Sequence, residues 1–269
     1  MKPLLFALRQ APTQRLDLAP LTPDRLIGRA LKEIEAIEIG TTKLAVKVGD
    51  VFKLRSGDPR SLHFEGGSEN FDFLGAKLLP GFSIHVEGDV GFGLARNATG
   101  GEITVVGDAG AHAASGMCGG HVYIEGDAGD FLCGPLAGEL AGMSGGRVVV
   151  RGNAGARVGD RLRRGVVIIE GDAGADFGAR AIAGTIILNG KAEGRIGYLN
   201  KRASLVLAHA RDFGPTYVDC GAHNFAFAKL YARALAQDSR RAARTLSQKL
   251  QRFAGDTAVY GKGEILTPA

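Results

Sequence analysis

Ile84-His-Val-Glu-Gly-Asp89, Ile103-Thr-Val-Val-Gly-Asp108 and Val122-Tyr-Ile-Glu-Gly-Asp127 are copies of one phrase set nineteen residues apart. Val148-Val-Val-Arg-Gly-Asn153, Val167-Ile-Ile-Glu-Gly-Asp172 and Ile186-Ile-Leu-Asn-Gly-Lys191 continue it. With the glycine as anchor (Gly88, Gly107, Gly126, Gly152, Gly171, Gly190) the intervals are 19, 19, 26, 19 and 19. Two weaker copies flank the series, Leu62-His-Phe-Glu-Gly-Gly67 and Leu205-Val-Leu-Ala-His-Ala210. A fixed period near twenty residues is the signature of a solenoid.

The pattern inside one copy selects the kind of solenoid. The positions four and two before each anchor are β-branched or large apolar throughout, from Leu62/Phe64 and Ile84/Val86 to Ile186/Leu188 and Leu205/Leu207. A spacing of two puts both side chains on one face of a strand. Asp-Ala-Gly or a variant follows the anchor as a turn signal. Six residues past the anchor a further small or apolar position recurs: Leu94, Ala113, Leu132, Val158, Phe177, Ile196. No helix fits into so short a copy. The spacing predicts an all-β core, a right-handed parallel β-helix of about eight coils over residues 59–210 with an interior of stacked Ile, Val and Leu.

Stacked coils end in unpaired strand edges, which need covering. Residues 1–58 are expected to form an N-terminal α/β cap. Thr22-Pro23 opens a helix there, with Leu26, Ala30, Leu31, Ile34 and Ile37 at helical spacing, and a strand is expected from Leu44. Residues 211–269 are expected to form a helical cap and tail. Its helix is read from Phe225 to Phe253, with a break allowed at Asp238-Ser239 and a stripe of Ala242, Leu246, Leu250 and Phe253.

Composition sets further limits. Forty-one glycines are about twice the usual share, and the coil turns absorb the excess. No apolar run reaches a membrane-spanning length, and no cleavable leader is read in Met1–Gln14. Three cysteines without CxxC spacing argue against a disulfide framework, a zinc site or an iron–sulfur cluster, and a cytoplasmic location is expected.

No catalytic residue and no metal site is assigned from the residues. The six histidines show no metal-ligand spacing along the chain, and His121 and His209 sit at structural positions of the repeat. The acidic row Asp89, Asp108, Asp127, Asp172 resembles a calcium β-roll only loosely. Its period is wrong, and Asn153 and Lys191 interrupt it, so turn formation by Asx side chains is the better reading. The 26-residue interval places a loop at Cys133–Met143, and Leu136, Leu140 and Met143 are expected to be exposed there for contact with a partner. The net charge of +5 is unevenly spread: nine basic residues face five acidic ones between Arg157 and Arg202. Without aromatic interleaving or a binding module, that excess does not read as a nucleic-acid surface.

The repeated xIxVxGDAG coil, the Leu21-Thr-Pro-Asp-Arg-Leu26 segment and the terminal Gly255-Asp-Thr-Ala-Val-Tyr-Gly-Lys-Gly-Glu-Ile-Leu266 resemble the family of the C-type subunit of formylmethanofuran dehydrogenase. The resemblance is closer to the C-type member of the bacterial formyltransferase/hydrolase complex, and the coil is shared with the GxGxG β-helix of glutamate synthase. It implies a non-catalytic scaffold subunit in one-carbon metabolism. Its partners would be a formyltransferase subunit, an amidohydrolase-type subunit and a further B-type subunit. The complex would pass a formyl group from formyl-tetrahydromethanopterin through a methanofuran- or methylofuran-type coenzyme to formate. The alternative it implies is the C-type subunit of a molybdenum- or tungsten-dependent formylmethanofuran dehydrogenase. The glutamate-rich tails of such coenzymes single out Arg161, Arg163, Arg164, Arg180 and Arg202 as expected tail contacts.

Overall fold

The computed structural model describes residues 2–42, 45–209 and 213–269. One thirteen-stranded, largely parallel sheet dominates it. The repeat supplies β4 (Asp58–Glu65), β6 (Ser83–Glu87), β7 (Thr99–Val105), β8 (Gly119–Ile124), β9 (Arg147–Val150), β10 (Val166–Ile169), β11 (Thr185–Leu188) and β12 (Ser204–Leu207). Each pairs in parallel with the next, so that Leu62, Ile84, Ile103, Val122, Val148, Val167, Ile186 and Leu205 form one continuous row. That row and the row two residues on are buried in a single core. A second line of parallel bridges runs through Ser68, Val90, Ala109, Ala128, Ala154, Ala173 and Ala192, two residues past the anchors. Two parallel stacks joined by turns, with few helices, fit a β-helix.

The acidic row has a structural task between coils. Asp89 Oδ1 accepts from the backbone N–H of Asp108 at 2.8 Å, and the same bond is repeated from Asp108 to Asp127 at 2.7 Å and from Asp127 to Asn153 at 2.6 Å. Asn153 serves Asp172 at 2.9 Å, and Asp172 serves Lys191 at 2.6 Å. An amide oxygen accepts as well as a carboxylate, which is why Asn153 fits, and the last rung needs only its N–H, which is why Lys191 fits. The anchor glycine belongs to the same device: a Cβ on Gly107 would lie 2.5 Å from Asp89 Oδ1 and from the carbonyl carbon of Gly88.

The terminal segments extend the sheet at both ends. Two strands, β1 (Pro3–Leu8) and β3 (Phe52–Arg55), follow β4, and Phe6, Phe52, Phe64 and Phe71 close the interior there with ring centroids 4.6–5.8 Å apart. The edge strand β3 presents Lys53 and Arg55 to solvent, which blunts it. A small sheet of β2 (Leu16–Asp17) and β5 (Phe71–Asp72) packs alongside. The expected first helix is split into α1 (Pro23–Leu26) and α2 (Leu31–Glu35), with Gly28 at φ +82° between them. Of the strand expected from Leu44, Leu44 itself lies outside the described residues. Downstream, Val48–Val51 is a short helix, α3, and the strand begins at Phe52.

At the other end the expectation of a long helix is corrected. The chain forms β13 (Val218–His223), α4 (Ala226–Leu235), α5 (Arg240–Ser247), β14 (Leu250–Gly255) and β15 (Gly263–Pro268). The break at Asp238-Ser239 is present, with Ser239 Oγ capping α5 through the Ala242 N–H at 2.9 Å. Leu250 and Phe253 continue the helical stripe in sequence, yet they lie in β14, which pairs antiparallel with β15. That strand in turn extends β12 in parallel. Sheet closure overrides the local periodicity.

The two faces of the sheet differ. Three residues before the anchors, side chains point away from the interior. From β9 onward these are Val149, Ile168, Ile187 and Val206, and α4 and α5 cover them with Ala228, Ala232, Leu235, Ala242 and Leu246. On the earlier strands the same row reads His63, His85, Thr104 and Tyr123, and the first three are half-buried and lie outside the cluster that α4 and α5 form. Among the described residues no helix is long and apolar enough to cross a membrane.

Candidate functional site

Four surfaces carry side chains available to a partner or ligand. The first is the insert between β8 and β9. It folds back on the prism rather than standing off it. Arg96 bonds Glu139 Oε1 at 2.5 Å, Arg161 donates to the Glu139 carbonyl at 3.0 Å, and Glu139 Oε2 accepts from the Leu136 N–H at 2.9 Å. Burial raises the Glu139 carboxyl, but the Leu136 N–H and Arg96 outweigh it and hold the group below its ordinary range. Leu140 stands at the tip, 86% exposed, and Leu136 is half-buried. Met143, expected outside, is buried in the interior, because its backbone is already back on the coil path through bonds to Cys133 and Arg163. Burial in the same core pushes the Cys133 thiol up, which makes it unreactive.

The second surface is the basic stretch, and structure divides it into two sets. Arg180 forks onto buried Asp160, with Nε to Oδ1 at 2.9 Å, and this pair raises the guanidinium pKa against the lowering effect of burial. Arg161 is engaged by Glu139. Arg157 and Arg195 flank Asp176 at 3.6 and 3.3 Å. Arg157, Arg180 and Arg195 join one coil to the next, and Arg161 ties the insert to its coil. Arg163 and Arg164 are exposed, and among the described residues their side chains make no hydrogen bond or ion pair; Arg202 is exposed with its guanidinium carbon 5.9 Å from the Tyr260 ring centroid. Of the five expected tail contacts, Arg163, Arg164 and Arg202 have no charged partner among the described residues, Arg161 gives one N–H to a backbone carbonyl, and Arg180 is paired with Asp160. Charge counting could not separate them, since partners such as Asp160 sit on a neighbouring coil.

The third surface is the uncovered part of the sheet's outer face. His63 and His85 are register partners on β4 and β6, with ring centroids 4.9 Å apart. His63 Nε2 lies 3.0 Å from Glu87 Oε1. Chain spacing hid this group, because parallel rungs bring residues 22 apart side by side. The available signal was that both histidines stand three residues before an anchor glycine.

The α4–α5 hairpin also carries charge on its outer side. Lys229, Arg233, Arg240 and Arg244 line a groove of about 490 Å³ over a floor of Ala232, Ala236 and Ala243. Its corner is latched to the sheet: buried Asp238 accepts from Arg147 and, at 3.1 Å, from Tyr123, and its carbonyl accepts from Arg151 at 2.6 Å. Burial, then Asp238, raises the Tyr123 phenol.

No family model matches the chain. It is 44% identical over 256 residues to the C-type subunit of the formyltransferase/hydrolase complex Fhc of Methylorubrum extorquens, covering 95% of this chain and 96% of that protein. A chain of the crystal structure of the formyltransferase/hydrolase complex FhcABCD from Methylorubrum extorquens, in complex with methylofuran, superposes with a TM-score of 0.92 at 39% identity, covering 98% of this chain and 99% of that one. The dehydrogenase alternative draws no support from these matches.

Proposed function

The chain belongs to the family of the C-type subunit of the formyltransferase/hydrolase complex, and from that premise we propose that it is the complex's non-catalytic scaffold. The observation that carries the reading is a likeness running end to end, through both terminal segments as well as the coils. The complex would move a formyl group from formyl-tetrahydromethanopterin through a methylofuran-type coenzyme to formate, in the cytoplasm. Its other members would be a formyltransferase subunit, an amidohydrolase-type subunit and a B-type subunit. We read the chain as a right-handed β-helix of about eight coils at 59–210, between caps at 1–58 and 211–269.

The scaffold role is supported by what the polar side chains do. The Asx row, Arg180 with Asp160, and Asp238 with Arg147 all join one part of this chain to another. Among the exposed groups, Leu140 with Leu136 beside it offers a partner contact on a pinned and therefore pre-ordered loop. Arg163, Arg164 and Arg202 would steer an anionic coenzyme tail, with Arg161 and Arg180 positioning the coils that carry them. Exposed pairs of this kind contribute little each and weaken with salt.

Reconstitution from purified subunits tests the role. With this chain the subunits are expected to elute as one assembly that turns over; without it they are expected to separate. A full-sized, fully active assembly formed without the chain would refute the scaffold role. Charge reversal at Arg163 and Arg164 in the intact assembly tests the steering: unchanged coenzyme retention at low and high salt would remove it.

A further inference from the structure

We propose that His63, His85 and Glu87 form a binding site for a divalent transition-metal ion of the class represented by zinc, on the uncovered outer face of the sheet. The site does not depend on the scaffold role.

Backbone geometry sets the three side chains together. Residues i and i+2 of a strand point to the same face, and an in-register residue on the neighbouring strand stands about 4.8 Å away. His85 and Glu87 are such a pair on β6, and His63 is the register partner of His85 on β4. The result is an L-shaped triad on two hydrogen-bonded strands inside a thirteen-stranded sheet, a rigid base for ligands. One ligand atom from each residue lies within 4.8 Å of the other two, and His63 Nε2 and Glu87 Oε1 are already 3.0 Å apart. Donor atoms about 2.0–2.1 Å from a tetrahedral zinc ion are separated by about 3.3 Å, so closure needs only side-chain rotation.

The donor set and its surroundings fit the same class of ion. Two imidazoles and one carboxylate suit zinc and its neighbours and do not suit magnesium or calcium, which take oxygen ligands. The His85 ring makes no hydrogen bond among the described residues and stands edge-on to the His63 ring. Binding would therefore displace a single bond, from His63 to Glu87. Glu65 and Glu102 occupy neighbouring positions on the same face; Arg55, 3.8 Å from Glu65, offsets that charge, and Glu102 together with Glu87 leaves the local field favourable to a cation. Three protein ligands leave the fourth position open to water.

Zinc titrated calorimetrically into the chelator-treated full chain, in excess magnesium, tests this. One equivalent is expected to bind. His63→Ala and His85→Ala are each expected to weaken it by more than about tenfold, and Glu87→Gln, which keeps the shape and a hydrogen-bonding side chain, should weaken it likewise. His121→Ala, on the same sheet but outside the triad, should leave it unchanged. Cobalt(II) in place of zinc is expected to show the visible bands of a four-coordinate site, lost in His85→Ala. Circular dichroism separates loss of ligand from loss of fold. No saturable equivalent in the wild-type chain, or an equivalent that survives His63→Ala and His85→Ala, would overturn the assignment.

Discussion

The covered and uncovered parts of the sheet's outer face are built from the same register yet solve different problems. From β9 to β12 the row three residues before the anchors is Val149, Ile168, Ile187, Val206, and each is at most 1% exposed beneath α4 and α5. From β4 to β7 the same row is His63, His85, Thr104, half-buried and outside the cluster under α4 and α5. The interior rows stay apolar along the whole series because neighbouring coils bury them wherever they stand. The outer row has no such guarantee, and its chemistry changes where the hairpin begins. Tyr123 stands at the boundary and hands the outer face over to the hairpin through Asp238. A repeat therefore fixes one face and leaves the other to be specified coil by coil.

The strongest way to break this contrast is to place the same carboxylate in both parts. Ile168→Asp is expected to cost on the order of 4 kcal/mol or to take up a proton, since it puts an unpaired charge beneath α4 and α5. Thr104→Asp is expected to stay within about 0.5 kcal/mol. Urea unfolding of the two variants gives the comparison, and equal costs would mean that the outer face is not divided.

The latch comes next. Asp238→Ala should cost roughly 3 kcal/mol, because Arg147 and the Tyr123 hydroxyl lose their buried acceptor. Hydrogen exchange should show the loss first in α4 and α5, with β6 and β7 unaffected. Tyr123→Phe, which removes one bond of that latch, should cost about 1 kcal/mol. The insert supplies a smaller, acid-sensitive counterpart. Glu139 has a lowered pKa in the fold, so its contribution is present above the ordinary glutamate value of about 4.3 and is lost as pH falls through the folded value. Amide exchange at residues 136–142 should accelerate through that window, and Glu139→Gln should remove the pH dependence.

Much of the architecture was legible because the period repeats one simple demand, two inward apolar residues per strand. The sheet ends and the outer face were not, for physical reasons that particular residues show. Leu250 and Phe253 satisfy a helical stripe, but β15 offers them a full strand partner. Met143 looked exposed in an inserted loop, yet the insert rejoins the coil before it. Arg180 reads along the chain as free charge, yet Asp160 on the neighbouring coil pairs with it, whereas Arg161 keeps its charge and gives one N–H to the Glu139 carbonyl. The switch from Thr104 and Tyr123 to Val149 and Ile168 was present in the repeat and marked where the hairpin packs. The His63–His85 pair was equally visible once aligned to the anchors, but chain spacing suited to a single helix or loop passes over it.

Formate release by the purified chain alone, supplied with formyl-tetrahydromethanopterin and a methylofuran-type coenzyme, puts the scaffold role to its most direct test. The expected result is no turnover until the other subunits of the complex are added, whether or not zinc is present. Sustained formate release from the chain by itself, abolished by a substitution within it, would contradict the role.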